Sequence, residues 1–200
     1  MNTLRTTVTA LLFSALCSPV AMAEPIEYKI DPDHFSVLFA VNHLGFDEVL
    51  GLFRKAKGRF TYDREAGELT EGQVIIQSKS VFTNHKERDE HLCKADFLDC
   101  RKYPNITFVV TGFEKQSANA GVLHGKLTLL GQTRPVALDL TLNKSGVYPF
   151  GHEKFTLGFS ASTTLRRSEW GMDYGLDPMM VGDDVKLRFE FEAYDDSGWF

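Results

Sequence analysis

The sequence is poor in the features that most often declare a function. Its 200 residues hold three cysteines and no Cys-x-x-Cys pair, so neither a paired zinc-ligand set nor a dithiol redox motif stands out. Gly-x-Ser-x-Gly, Gly-x-Gly-x-x-Gly and the phosphate-loop motif are all missing, which leaves no nucleophile elbow and no nucleotide cradle. Basic residues are outnumbered, 22 Lys+Arg against 27 Asp+Glu, and a net charge of -5 is the wrong sign for a nucleic-acid partner, whose binding relies on counterion release by a basic surface. No apolar run approaches the ~20 residues that a bilayer-crossing helix needs, so no transmembrane segment is expected. Metal ligation, catalysis and nucleotide binding therefore have no strong signal, and no catalytic residue is expected.

What is present begins with Arg5, an apolar stretch from Val8 to Leu16 and the small-x-small triplet Ala21-Met22-Ala23, the pattern of a secretory signal peptide spanning residues 1–23. Residues 24–200 are then the mature domain. Removal of the leader takes Arg5 and no acid, leaving 21 basic against 27 acidic residues, and it removes Cys17. Cys93 and Cys100 remain, in a compartment oxidising enough for a disulfide to persist.

Period-2 alternation dominates the mature chain. From Val185 to Glu192 every odd position is apolar and every even one charged, the signature of a strand with one wet face. The same reading recurs at Phe35/Val37/Phe39/Val41, Val74/Ile76, Ile106/Phe108/Val110, Leu123/Leu127/Leu129, Val136/Leu138/Leu140/Leu142 and Phe155/Leu157/Phe159/Ala161. Turn signals such as Arg64-Glu-Ala-Gly67, Gly131-Gln132 and Lys144-Ser-Gly146 separate these runs at antiparallel spacing. About eight strands result. Two segments break the pattern, 84–102 and 166–182; in the first, Asn84 with Glu87 three residues on has capping-box spacing and predicts a short helix. Strands with one wet face and no long helix must bury the other face against themselves, as a barrel or a sandwich. Sixteen phenylalanines, many at inward parity, favour a barrel whose interior holds one thin greasy ligand. A core filled by its own side chains is the alternative.

Several stretches carry a resemblance. Ile30-Asp-Pro-Asp-His34-Phe-Ser-Val-Leu-Phe39 with His43-Leu-Gly, Arg88-Asp89-Glu-His91-Leu92 with Asp96-Phe97, Gly125-Lys-Leu127-Thr with Gly131, and Arg167-Ser-Glu-Trp170-Gly171 occur in an order that resembles the YceI-like family of exported lipid-binding proteins. The resemblance implies an all-β, eight-stranded antiparallel barrel, lipocalin-like, with a short helical segment near residues 85–100. It also implies a polyisoprenoid, a quinone tail or a related amphiphile such as a fatty amide as ligand, a periplasmic location, a homodimer, and binding rather than catalysis. Beyond a bound polyisoprenoid or quinone no cofactor is expected. The residues expected to contact the ligand are Val37, Phe39, Val41, His43, Phe53, Leu92, Phe97, Phe108, Val110, Leu129, Leu138, Phe159, Trp170, Leu187 and Phe189. Asp89 and His91 are expected to satisfy backbone groups of the crossing segment.

The cysteines remain open at this level, because the family typically has a polar residue where this chain has Cys93. His91 and Cys93, two residues apart, face different sides of a helix and make a poor metal site. In one continuous helix, Cys93 and Cys100 would be about 10.5 Å apart, beyond the ~7 Å reach of a bridge, so a disulfide needs a bend. The family resemblance places such a turn toward Tyr103-Pro104. Free thiols, an intermolecular link and a redox module working with a bound quinone are the competing readings.

Overall fold

The computed structural model describes residues 25–176 and 180–197; the predicted signal peptide lies outside them. Ten strands and one α-helix follow in chain order among these residues: β1 (Ile26–His43), β2 (Asp47–Phe53), β3 (Ala56–Asp63), β4 (Glu68–Gln77), β5 (Val81–Phe82), α1 (Lys86–Leu92), β6 (Asn105–Lys115), β7 (Ala120–Leu129), β8 (Gln132–Val147), β9 (Phe155–Arg166) and β10 (Val181–Asp195). All pairings are antiparallel, and β10 returns to β1, closing an eight-stranded barrel of β1, β3, β4, β6, β7, β8, β9 and β10. The alternation read from the sequence is the cause, since period-2 strands with a wet outer face have no unpaired edge once the sheet closes.

The two remaining strands are local. Ile26–Lys29 of β1 pair with β3, whereas Val37–His43 pair with β2, so β2 and β3 flank β1 in succession, and β5 extends β2 by two residues. Between these two halves β1 bulges: Ile30 faces Ala193 and Phe35 faces Phe191, five residues spanning the space of two. Asp31-Pro-Asp-His34 fills this excursion. Asp31 accepts the Asp33 N–H at 2.9 Å and sits 2.8 Å from His34 Nδ1, and Pro32 has no amide to leave unpaired. A second bulge, between Val110 and Gly112 in β6, resets parity so that Val110 and Phe113, three apart, both pack against the core.

The barrel has two unlike ends. At one, the chain turns between β3 and β4, β6 and β7, and β8 and β9, and the interior is solid: Tyr28, Phe60, Tyr62, Phe159 and Phe191 stack with ring centroids 5.4–6.3 Å apart. Arg64 plugs this end, donating to the Tyr28 hydroxyl and to Asp195 Oδ2 (2.5 Å) with its guanidinium 3.9 Å over the Phe155 ring. At the other end lie the β1–β2 hairpin, the 83–104 segment, the β7–β8 turn and the connection that follows β9.

Candidate functional site

The second end contains a chamber of about 410 Å³. Its walls come from the C-terminal half of β1 (Val37, Phe39, Val41, His43), from β2 (Val49, Phe53), from the mouth-side ends of β4, β6, β7 and β9 (Ile76, Ile106, Leu127, Leu129, Leu165) and from β10 (Val181, Val185, Leu187, Phe189). Two covers complete it. One is the α1 segment with Arg88, His91, Leu92, Phe97 and Leu98; the other is the β9–β10 connection with Arg167, Trp170, Met172, Tyr174 and Met180.

Close approach shapes the wall at one point. A Cβ on Gly51 would lie 2.2 Å from Phe39 Cζ, so the Phe39 ring lies flat over β2 only because its cross-strand partner has no side chain.

The first cover is shaped by its cysteines. His85 caps α1, its Nδ1 accepting the Arg88 N–H at 3.3 Å, one residue later than the Asn84 cap predicted, because Asn84 adopts a left-handed φ of 60° ahead of the helix. The helix stops at Leu92, and Cys93, its C-cap, bonds covalently to Cys100 across a Cα separation of 4.9 Å. The bend comes from tight turns: the Leu98 N–H donates to Leu92 O and the Cys100 N–H to Cys93 O. Leu92, Phe97 and Leu98 are thereby turned into the chamber. Asp89 does satisfy a backbone group, accepting from the Thr83 N–H at 2.7 Å and its hydroxyl at 2.6 Å. His91 does not: its Nε2 lies 3.0 Å from Asp96 Oδ2, and its ring joins Phe97 and Tyr174 in a three-ring clasp with centroids 5.1–5.3 Å apart, linking the two covers.

The second cover hangs on Arg167. Its guanidinium is buried and donates four hydrogen bonds to carbonyl oxygens of the connection and of the start of β10: Nε to Gly182 (2.8 Å), Nη1 to Met172 (2.7 Å) and Tyr174 (2.9 Å), and Nη2 to Val181 (2.9 Å). Burial pulls its proton affinity below the ordinary guanidinium value, and the nearby Asp183 and Asp173 oppose that. Asp183 is desolvated too, which raises its pKa. Hydrogen bonds from the Ser168 N–H and hydroxyl and from Arg166 outweigh this and hold it below the usual carboxylate value. Trp170, fully buried, ends the one-turn helix Arg167–Trp170 and donates its indole N–H to Leu127 O at 3.4 Å.

Of the fifteen residues expected to contact a ligand, eleven share the chamber: Val37, Phe39, Val41, His43, Phe53, Leu92, Phe97, Leu129, Trp170, Leu187 and Phe189. Phe108, Val110 and Leu138 lie deeper, around a void of about 70 Å³ that shares Ile76, Leu127, Leu165, Leu187 and Phe189 with the chamber. Phe159 belongs to the packed aromatic base and touches neither space. Parity reveals which face a side chain occupies; it says nothing of height along the barrel axis, and these four are inward at the wrong level. Sequence reasoning missed Arg88, Arg167 and Tyr174. All three lie in the two non-alternating segments, and Arg88 and Arg167 stand in the stretches that carry the family resemblance, which gives neither a role.

The chamber is walled almost wholly by carbon, with His43, Arg88, His91, Arg167 and Tyr174 as its polar contributors. Among the described residues, no nucleophile–base pair faces it. The arrangement can remove a long apolar chain from water and leave its head near the rim.

The YceI-like domain profile matches residues 28–193. A UPF0312 protein of Pseudomonas putida strain W619 is 36% identical over 171 residues, covering 84% of this chain and 88% of that one. Among solved structures, a Campylobacter jejuni YceI protein superposes with a TM-score of 0.72 at 24% identity, covering 95% of this chain and 100% of that one. A domain of Saccharophagus degradans described as polyisoprenoid-binding and implicated in plant cell wall breakdown superposes at 0.61 with 12% identity, covering 85% and 99%.

Proposed function

Because the chain belongs to the YceI-like domain family, we propose that it is a periplasmic carrier or sequestering protein whose barrel shelters a polyisoprenoid or a comparable long-chain amphiphile, such as a quinone tail or a fatty amide. The observation that carries this reading is the apolar chamber of about 410 Å³ at one end of the barrel, with only a void of about 70 Å³ deeper among the described residues. Packing favours filled interiors, so a void of ligand size lined by Val, Leu, Met and Phe calls for an occupant. The affinity comes mainly from burial, at roughly 25 cal/mol per Å² of apolar surface, and chain length and shape then matter more than any single polar contact. The Saccharophagus degradans domain shares the fold at 12% identity, so the chemical case rests on this chain's own residues. Export and a homodimer follow from the family resemblance and belong to the same proposal.

The Cys93–Cys100 bridge fits a staple that holds the first cover in its bent path, since Cys100 is buried and Leu92, Phe97 and Leu98 depend on that path. The test is loading of the delipidated protein with a fluorescent polyprenyl probe. Phe39→Asp should abolish uptake, whereas Lys126→Glu, on an exposed position of β7, should leave it unchanged. Equal uptake by both variants and the parent would remove the chamber from the function.

A further inference from the structure

Arg88, His91 and Leu92 occupy positions i, i+3 and i+4 of α1 and together form the helix face that lines the chamber. The two chamber arginines differ in what they have left to offer. Arg167 is spent on four carbonyl oxygens. Arg88 uses one edge only: Nε donates to Thr83 Oγ1 at 2.7 Å and Nη2 to Thr83 O at 2.8 Å. A guanidinium has five N–H donors, so the opposite edge, with one N–H on each terminal nitrogen, has no acceptor among the described residues.

The neighbouring acids do not neutralise it. Glu87 lies 3.4 Å from His85, Glu90 3.9 Å from Lys86 and Asp96 3.0 Å from His91, and Asp89 is reached only through the Thr83 hydroxyl that it accepts. Arg88 forms no ion pair with a described carboxylate. The Thr83–Asp89 arrangement instead fixes the orientation of the guanidinium plane, leaving a pre-set two-pronged donor on the wall of an apolar space.

We infer that Arg88 reads the head group of the sheltered amphiphile and that this head is an anionic oxygen acid, a carboxylate or a phosphate. This rests on the proposed lipid-binding reading and narrows it. Two parallel N–H groups match the spacing of two oxygens on a carboxylate or phosphate, and such charge-assisted pairs are stronger than neutral ones. An alcohol head offers one weak acceptor.

Calorimetric titration of the full mature protein with oleate, oleyl alcohol, geranylgeranyl phosphate and geranylgeraniol separates the cases. The parent should bind at least one acid about tenfold more tightly than the alcohol of the same chain. A preference confined to the oleyl pair assigns the head to a fatty acid, and one confined to the prenyl pair assigns it to a prenyl phosphate; both support the inference. Arg88→Met should weaken the acids by that factor and leave the alcohols within about twofold, and Arg88→Lys should fall between. Equal binding of acid and alcohol by the parent overturns the inference while leaving the lipid-binding reading intact, and this comparison needs no variant. Equal weakening of acids and alcohols in Arg88→Met also overturns it, since that pattern belongs to a residue that only supports the cover. Failure of all four probes to bind overturns the lipid-binding reading and the inference with it.

Discussion

The two ends of this barrel are built from the same kind of strand yet do opposite things. At the base, inward Tyr28, Phe60, Tyr62, Phe159 and Phe191 fill the lumen and Arg64 seals it; at the mouth, inward Val37, Val41, Leu129, Val185 and Leu187 leave about 410 Å³ unfilled. Both sets alternate with outward residues that are mostly polar, Leu38 and Ala40 of β1 being exceptions. The difference comes from side-chain size and from what joins the strands. Turns close the base, while two long connections arch over the mouth, each held by its own anchor, the Cys93–Cys100 bridge on one and Arg167 on the other. The base stabilises the molecule, and the mouth carries the space that the proposed function uses.

That division can be broken most forcefully at its anchors and its base. Arg167→Met removes the donor from four carbonyl oxygens, one in a buried contact and three in part-buried ones, and at ~1–3 kcal/mol for a buried group left unsatisfied it should cost on the order of 3 kcal/mol in denaturant unfolding. A loss under about 1 kcal/mol would mean that the connection has other support. Phe159→Ala should cost about 3–5 kcal/mol and leave lipid uptake per folded molecule unchanged. Phe39→Ala, on the open chamber, should cost about 1–2 kcal/mol and alter uptake. If the two phenylalanines swapped these effects, the assignment of base and mouth would be reversed.

Smaller effects sharpen the comparison. Replacing both Cys93 and Cys100 by serine opens a loop with a sequence separation of 7 and should lower stability by about 2.5 kcal/mol at most, with a greater effect on ligand retention than on the melting of the barrel. Monitoring retention and unfolding separately checks this. Gly51→Ala should change stability little but drive the Phe39 ring off β2 into the chamber, so that a long-chain probe binds more weakly than in the parent.

The smallest effect is a pH dependence at the β1 bulge. The Asp31 hydrogen bond holds the His34 pKa above its ordinary value, working against slight desolvation. Burial raises the Asp31 pKa, but bonds from His34 and the Asp33 N–H outweigh it and the net shift is downward. The histidine contribution is complete below its unfolded value near 6.5 and is lost as pH rises through the higher folded value. The carboxylate contribution is complete above its unfolded value near 4 and is lost as pH falls through the lower folded value. The pair therefore stabilises most between about pH 4 and 6.5, and because His34 is exposed the amplitude is small. His34→Gln should flatten the stability profile on both sides of this window; an unchanged profile would exclude the pair as its source.

Much of this architecture was legible in the residues. Val185–Glu192 revealed the strand period, and the absence of long helical runs left a barrel or a sandwich, between which the phenylalanines favoured the barrel. Legibility ended where height and connection matter. Phe108, Val110 and Leu138 have the inward parity expected, yet they sit below the chamber, because a period of two carries no coordinate along the barrel axis. Arg88 and Arg167 stand in the stretches that carry the family resemblance, which gives neither a role; only the folded connections show one consumed by carbonyls and the other with an edge unbonded among the described residues. The Asp31–His34 excursion is a bulge that no alternation announces, a feature that depends on the pairing partner in β10.

The most direct test of the account is native mass spectrometry of the protein purified from its own cells, followed by organic extraction and mass analysis of what is released. The account predicts a stoichiometric long-chain amphiphile that is retained by the parent and absent from Phe39→Asp. An empty protein that also refuses added polyisoprenoids, quinones and fatty amides would contradict it and place the function outside the chamber.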